Sequence, residues 1–237
     1  MISARNLLED YCKICHTYKV KFYLSLIFIA SQFLQANTQT ENNALIALRS
    51  IKSHLSKNKQ WKARISQSTY SAALGDGPLE LGHMTFSHPK KFKVDFDHQS
   101  FVTNGKEAWL VQYPEGKKNK PYIAHFSDIK NANFYHFLSF IGGSSLADQA
   151  AVKKKYKLSY KKENLSMIIT LYPKDTGTDF RKVLLYFNSK TYQTQRVVFE
   201  NNLGDLTKIR FIEQVPTKVP SKTFTVIAPK GVEIRKL

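Results

Sequence analysis

Cys12, Cys15 and His16, in the stretch CKICH, have the spacing by which a chain attaches haem through two thioethers and ligates its iron with the histidine. Two thiolates and an imidazole so close together would also suit zinc. The following residues argue against both. Phe22 to Leu34 is an uncharged run of 13 residues, the length of a secretory apolar segment and short for a bilayer span. Arg5, Lys13, Lys19 and Lys21 precede it and hold that flank in the cytoplasm. Haem attachment takes place outside the inner membrane, so the motif lies on the wrong side, and cleavage after Ala36 removes it. Residues 1–36 are expected to be a signal peptide and 37–237 the exported chain, located in the periplasm; a start nearer Val20 gives the same product. The two cysteines are the only ones present, so the exported chain forms no disulfide.

The remaining groups that could do chemistry are scattered. A hydrolase needs a nucleophile, a base and an orienting group, yet no G-x-S-x-G occurs, and Gly143-Ser144-Ser145 reads as a helix start capped by serine. His54, His83, His88, His98, His125 and His136 form neither HExxH nor a close pair with metal-ligand spacing. Asp95 and Asp97 share one face of a strand, but lysines flank them and solvated charge is the simpler role. No Gly-rich loop has phosphate-cradling spacing. The expectation is a protein that is not an enzyme, with no catalytic residue, metal or cofactor.

Those side chains would be carried by a helix followed by strands. Thr38 to Ser56 has capping-box spacing at Thr38 and Glu41, and Leu45, Leu48, Ile51 and Leu55 recur at helical intervals. From Trp61 onward, short alternating stretches rich in β-branched and aromatic residues are separated by Gly, Asn, Asp and Pro, which predicts about eleven consecutive antiparallel strands. Asp76-Gly77 is expected to link 61–73 to 79–87, and Asn104-Gly105 to link 100–103 to 107–113. After residue 155, YKLSYKK, SMIITLYP, FRKVLLYFN, YQTQRVVFEN and DLTKIRFIEQ continue the meander. Between the two runs, residues 131–151 have helical spacing in Phe134, Phe137, Leu138 and Ile141, with a second short helix opening at Ser144 or Ser145. About 200 exported residues suffice for one core. A curved sheet of this size with helices on one side can enclose a ligand-sized cavity, so binding is the leading function.

Charge constrains the partners less. Removing the four Lys/Arg and two Asp/Glu of residues 1–36 from the chain's 36 and 18 leaves a net charge of +16. A basic surface suits nucleic acid, anionic headgroups or acidic proteins; export argues against nucleic acid. Elsewhere basic residues cluster at Gly116-Lys-Lys-Asn-Lys120 and Lys153-Lys-Lys155.

The stretch His88-Pro-Lys-Lys-Phe-Lys-Val-Asp-Phe96, followed by Phe101-Val-Thr-Asn-Gly-Lys-Glu-Ala-Trp-Leu-Val-Gln-Tyr-Pro114, resembles the LolA family of periplasmic outer-membrane-lipoprotein carriers, whose pattern there is "RPxxFxW…P…SDGKxLWxYxP". Phe-rich 134–141, Leu171-Tyr-Pro-Lys174 and the ending Phe224-Thr-Val-Ile-Ala-Pro-Lys-Gly-Val232 extend the likeness over essentially the whole exported chain. The resemblance implies an α+β, mainly antiparallel fold: an unclosed half β-barrel with a helical lid over an apolar cavity. It implies a carrier that binds the acyl chains of lipoproteins released by an inner-membrane ABC transporter and delivers them to an outer-membrane receptor (LolB-like), acting as a monomer without nucleic acid. In the family an Arg before the Pro hydrogen-bonds lid backbone; His88 stands there, with one donor when neutral against five. Phe92 matches the family's Phe, and Val94 stands where the family has Trp. Cavity wall or lid is then expected from Trp61, Phe86, Phe92, Val94, Trp109, Phe134, Phe137, Leu138 and Ile141, with His88 at the closing contact. Two alternatives stay open: a lipid or glycolipid carrier or lipid-sensing, RseB-like regulator of the same fold, and a basic polyanion-binding module.

Overall fold

A stripe of Ala44, Leu45, Ala47, Leu48, Ile51 and Leu55 is buried along a helix over residues 39–55 (α1), while Ile46, Arg49 and Lys52 on its far side face solvent. This is the one-sided pattern of a helix lying on a sheet. The structure is a computed structural model that describes residues 39–55, 57, 59–88, 90–114, 120–127, 149–175 and 177–237. Residues 1–36, with Cys12, Cys15 and His16, lie outside the described residues, as do most of the basic loop at 116–120 and residues 131–148, with Phe134, Phe137, Leu138, Ile141, Ser144 and Ser145.

The first meander is β1 (Gln60–Ser71), β2 (Gly75–Ser87), β3 (Lys91–Asp95), β4 (Gln99–Thr103), β5 (Ala108–Gln112) and β6 (Tyr122–Phe126). A short helix, α2 (Gln149–Lys155), leads directly into the second: β7 (Tyr156–Glu163), β8 (Ser166–Pro173), β9 (Phe180–Asn188), β10 (Thr194–Asn201) and β11 (Leu206–Pro216). The chain then crosses to a three-residue strand, β12 (Ile234–Lys236). All twelve form one sheet in the order β12-β6-β5-β4-β3-β2-β1-β11-β10-β9-β8-β7, and the outer strands β12 and β7 do not pair, so the sheet stays open as expected. Register breaks at Arg64/Ile65, Ser68/Tyr70, Thr194/Arg196 and Glu200/Asn201 add the local bends by which a long sheet curves.

The expected meander of about eleven strands is present, with twelve among the described residues once β12 is counted, which pairs with β6 in parallel, Ile234 opposite Ile123. Two other expectations are corrected. The first hairpin turns at 72–74, not at Asp76-Gly77, which lies within β2. Gly75 is the reason: its φ of +83° closes the three-residue loop where a side chain would be strained. Lys153-Lys154-Lys155 forms the last turn of α2 rather than a separate basic stretch, a favourable place for cations beside a helix C-terminus. Asn104-Gly105 does turn between β4 and β5, with Gly105 at φ +94°.

The two faces of the sheet differ. The inner face, under α1 and Val152 of α2, carries the large apolar core, including Ile65, Met84, Phe86, Ile169, Leu185 and Phe187. On the outer face a smaller cluster of Val102, Trp109, Val111 and Ile123 is covered by Val226, Ala228, Val232 and Ile234 of the C-terminal segment. Helices α1 and α2 are fastened to each other by Gln149, whose side-chain Oε1 accepts from Arg49 Nε at 2.9 Å while its Nε2 donates to Leu45 O at 2.9 Å.

Candidate ligand-binding site

Strand alternation assigns the expected site residues to their faces. On β1, Trp61, Ala63 and Ile65 point inward and Lys62 and Arg64 outward; β2 opposes them with Phe86 across from Trp61 and Met84 across from Ala63. Trp61 stacks on Phe86 with centroids 5.2 Å apart and meets the edge of Phe211 at 6.2 Å. Phe92 stacks on Phe101 at 5.6 Å, and Val94 is buried beside them. Trp61, Phe86, Phe92 and Val94 therefore share the inner face, all packed in the main core.

Two expected residues are placed elsewhere. Ala108 and Leu110 of β5 turn inward, so Trp109 between them turns outward, where it stacks on His125 at 5.3 Å within the outer cluster. Trp109 does not line the inner face. His88 is exposed in the turn after β2, its backbone N–H donating to Lys59 O at 2.7 Å. It borders a polar, basic cleft of about 610 Å³ at that end of the sheet, with Gln60, Ser87, Thr217 and three lysines.

The apolar opening lies at the other ends of the strands. A cavity of about 1070 Å³ is walled by Tyr156, Phe180, Phe199 and Ile209, which belong to the inner-face core or pack against it. Phe180 and Phe199 meet edge to face with centroids 6.1 Å apart. Its rim is polar: Lys154 and Lys155 from the end of α2, Lys174, Asp175, Gly177, Thr178 and Asp179 from the β8–β9 link, and Asn201 and Asp205 from the β10–β11 turn. Apolar walls with polar groups at the mouth suit an amphiphile. Burial raises the Tyr156 hydroxyl above its ordinary value, which keeps it neutral beside the aromatic wall.

The rim is held by its own hydrogen bonds. Asp205 accepts from Ala72 N at 2.9 Å and from Asn201 Nδ2 at 2.9 Å, fixing the β10–β11 turn to the β1–β2 turn. The Asn201 bond, then the Ala72 bond, hold its carboxyl below the usual aspartate value. Lys174 Nζ donates to Lys153 O at 2.7 Å, tying the β8–β9 link to α2. Leu74 and Leu203 at the two turns are 89% and 80% exposed.

Sequence reasoning missed this wall. Phe180 and Phe199 each read as an ordinary strand aromatic, and only the pairing of β9 with β10, Lys182 opposite Glu200 and Phe180 opposite Asn201, brings them together. Among the described residues no group of three or more His, Cys, Asp or Glu could hold a metal ion. No helix among them is long and apolar enough to cross a membrane.

The sequence profile described as outer membrane lipoprotein carrier protein LolA matches residues 56–227. No curated protein matches the chain significantly. Among solved structures, similar chains include an uncharacterized conserved protein from Thermus thermophilus at 16% identity and TM-score 0.48, covering 80% of this chain and 98% of that one. A LolA superfamily protein from Nitrosomonas europaea has 12% identity and TM-score 0.38, covering 75% and 97%. MucB in the Pseudomonas aeruginosa MucA/MucB complex has 11% identity and TM-score 0.39, covering 81% and 63%.

Proposed function

The chain belongs to the LolA family of outer membrane lipoprotein carriers, and from that premise we propose that it carries the acyl chains of lipoproteins released from the inner membrane and delivers them to an outer-membrane receptor. LolA-family proteins are periplasmic, and the run from Phe22 to Leu34 supports export of this one.

The observation that carries the reading is the 1070 Å³ cavity walled by Tyr156, Phe180, Phe199 and Ile209 at the edge of the inner-face core. At about 0.8 kcal/mol per CH₂, keeping a chain of roughly 15 methylenes out of water is worth on the order of 12 kcal/mol. A triacylated protein therefore needs a shielded route between membranes. The cavity offers apolar area for the chains and leaves the attached polypeptide outside, past the polar rim. Cargo must also leave, which favours a site that opens over one sealed around its ligand. Helices α1 and α2, fastened to each other through Gln149, form one cover over the inner face. Movement of that cover relative to the sheet would open the cavity.

The test uses the chain from Asn37 onward, loaded with an environment-sensitive apolar dye. A triacylated lipopeptide should displace the dye, and the same peptide without acyl chains should not. Displacement by neither refutes the carrier reading.

A further inference from the structure

Three basic segments converge at the end of the sheet opposite the acyl-chain cavity. Residues 57–62, 87–91 and 216–222 contain Lys57, Lys59, Lys62, His88, Lys90, Lys91, Lys218 and Lys222, and no Asp or Glu. Gln60 draws them together: its Nε2 donates to Ser87 Oγ at 3.2 Å, its Oε1 accepts from Val219 N at 2.9 Å, and its backbone O accepts from Thr217 N at 3.2 Å. The resulting cleft of about 610 Å³ is lined by Lys57, Lys59, Lys218, His88, Ser87 and Thr217 around Gln60.

Its charge is not answered by any carboxylate among the described residues. Four bases elsewhere do have carboxylate partners: Lys93 with Asp95, Lys161 with Glu163, and Arg181 and Lys182 with Glu200. Lys57, Lys59 and Lys218 make no ion pair among the described residues. The C-terminal end of α1 offsets about half a charge at most. Inside the molecule the imbalance is felt at His54, which burial and then the charge of Lys57 hold below its ordinary value. Ammonium groups with hydroxyls and no carboxylate complement a tetrahedral oxyanion, which takes several charged donors at once.

We propose that this cleft binds a phosphate group, carried by a lipid headgroup or free in solution. The inference does not depend on the acyl-chain reading. Lysines spread over a surface merely for solubility would contribute equally wherever they stood; lysines gathered round one cleft would not.

That difference sets the experiment. Among the described residues the buried core begins at Ala44, and the chain from Asn37 serves as parent. It is compared with Lys57→Gln/Lys59→Gln/Lys218→Gln and with Lys120→Gln/Lys162→Gln/Lys230→Gln, three exposed lysines that line neither cavity and change the net charge equally. The probes are inorganic phosphate by calorimetry, and vesicles of phosphatidylcholine with or without phosphatidylglycerol by sedimentation. The cleft variant should lose at least about tenfold in affinity, with the control losing less than about threefold. Binding of phosphate alone assigns a free oxyanion, and binding of phosphatidylglycerol vesicles alone assigns a headgroup; either supports the proposal. Equal losses in the two variants, or no binding of either probe by the parent, overturn it. Dye displacement by the lipopeptide should persist in the cleft variant, so failure of this site and failure of the carrier reading separate cleanly.

Discussion

Replacing Phe199 with Glu is the sharpest test of the acyl-chain wall. Phe199 is half-buried, meets Phe180 edge to face at 6.1 Å and borders the cavity. Removing the ring forfeits about half the burial of a Phe, roughly 1 kcal/mol, and an aromatic pair worth about 1 kcal/mol. Stability should fall by about 2 kcal/mol, or roughly 4–8 °C in melting temperature for a chain of this size. Ligand binding should suffer separately. If about three methylenes of a bound chain lie against the ring at about 0.8 kcal/mol each, the loss is about 2.4 kcal/mol, roughly fiftyfold in affinity. Phe199→Leu keeps an apolar wall and should lose only a few-fold. The assay is dye displacement by a triacylated lipopeptide, with melting curves to show that each variant is folded. Folded Phe199→Glu protein that takes up the lipopeptide as tightly as its parent would refute the placement of acyl chains in this cavity.

Glu200 is only 7% exposed, and although burial pushes its carboxyl upward, the hydrogen bonds and charges of Lys182 and Arg181 outweigh it and hold the group below 4.5. Its contribution is therefore complete above pH 4.5 and lost as pH falls through the lower folded value. Glu200→Gln should cost about 1–2 kcal/mol at neutral pH, modest because Arg181 is largely exposed, and denaturant titrations should show the gap to the parent closing below pH 4.5. Gly82→Ala would put a methyl 2.6 Å from Asp95 O and 2.7 Å from the Phe96 ring; a loss of about 1–3 kcal/mol is expected by chemical denaturation. Ending the chain at Glu233 removes β12 and the bond from Leu237 N to His125 O, so Trp109 should gain exposure and its fluorescence shift to the red, while Trp61, 4% exposed in the main core, stays unchanged.

Much of the fold was legible in the sequence because its signals are local. The spacing of Leu45, Leu48, Ile51 and Leu55 specified α1 and its buried face. Polar links and alternation located β7 to β11 nearly to the residue, and Asn104-Gly105 marked its hairpin. The family motifs were legible for the same reason: each is a pattern of nearby residues.

What remained hidden depends on contacts between distant segments. Alternation shows that Trp109 and Ala108 face opposite ways, but which of them meets the core is decided by how the whole sheet packs, since a shift of one residue exchanges the faces. The parallel strand β12 carries too short a pattern to read, and exists because β6 offers an open edge. The pairing of β1 with β11 joins the ends of the two meanders and sets Pro216 opposite Trp61, which brings Lys218 to Lys59 and His88. By itself the sequence determined α1 and the strands of the two meanders and their order; the cavity walled by Phe180 and Phe199 and the lysine cleft at the opposite end arose only when pairings between residues far apart in the chain assembled the open, curved sheet.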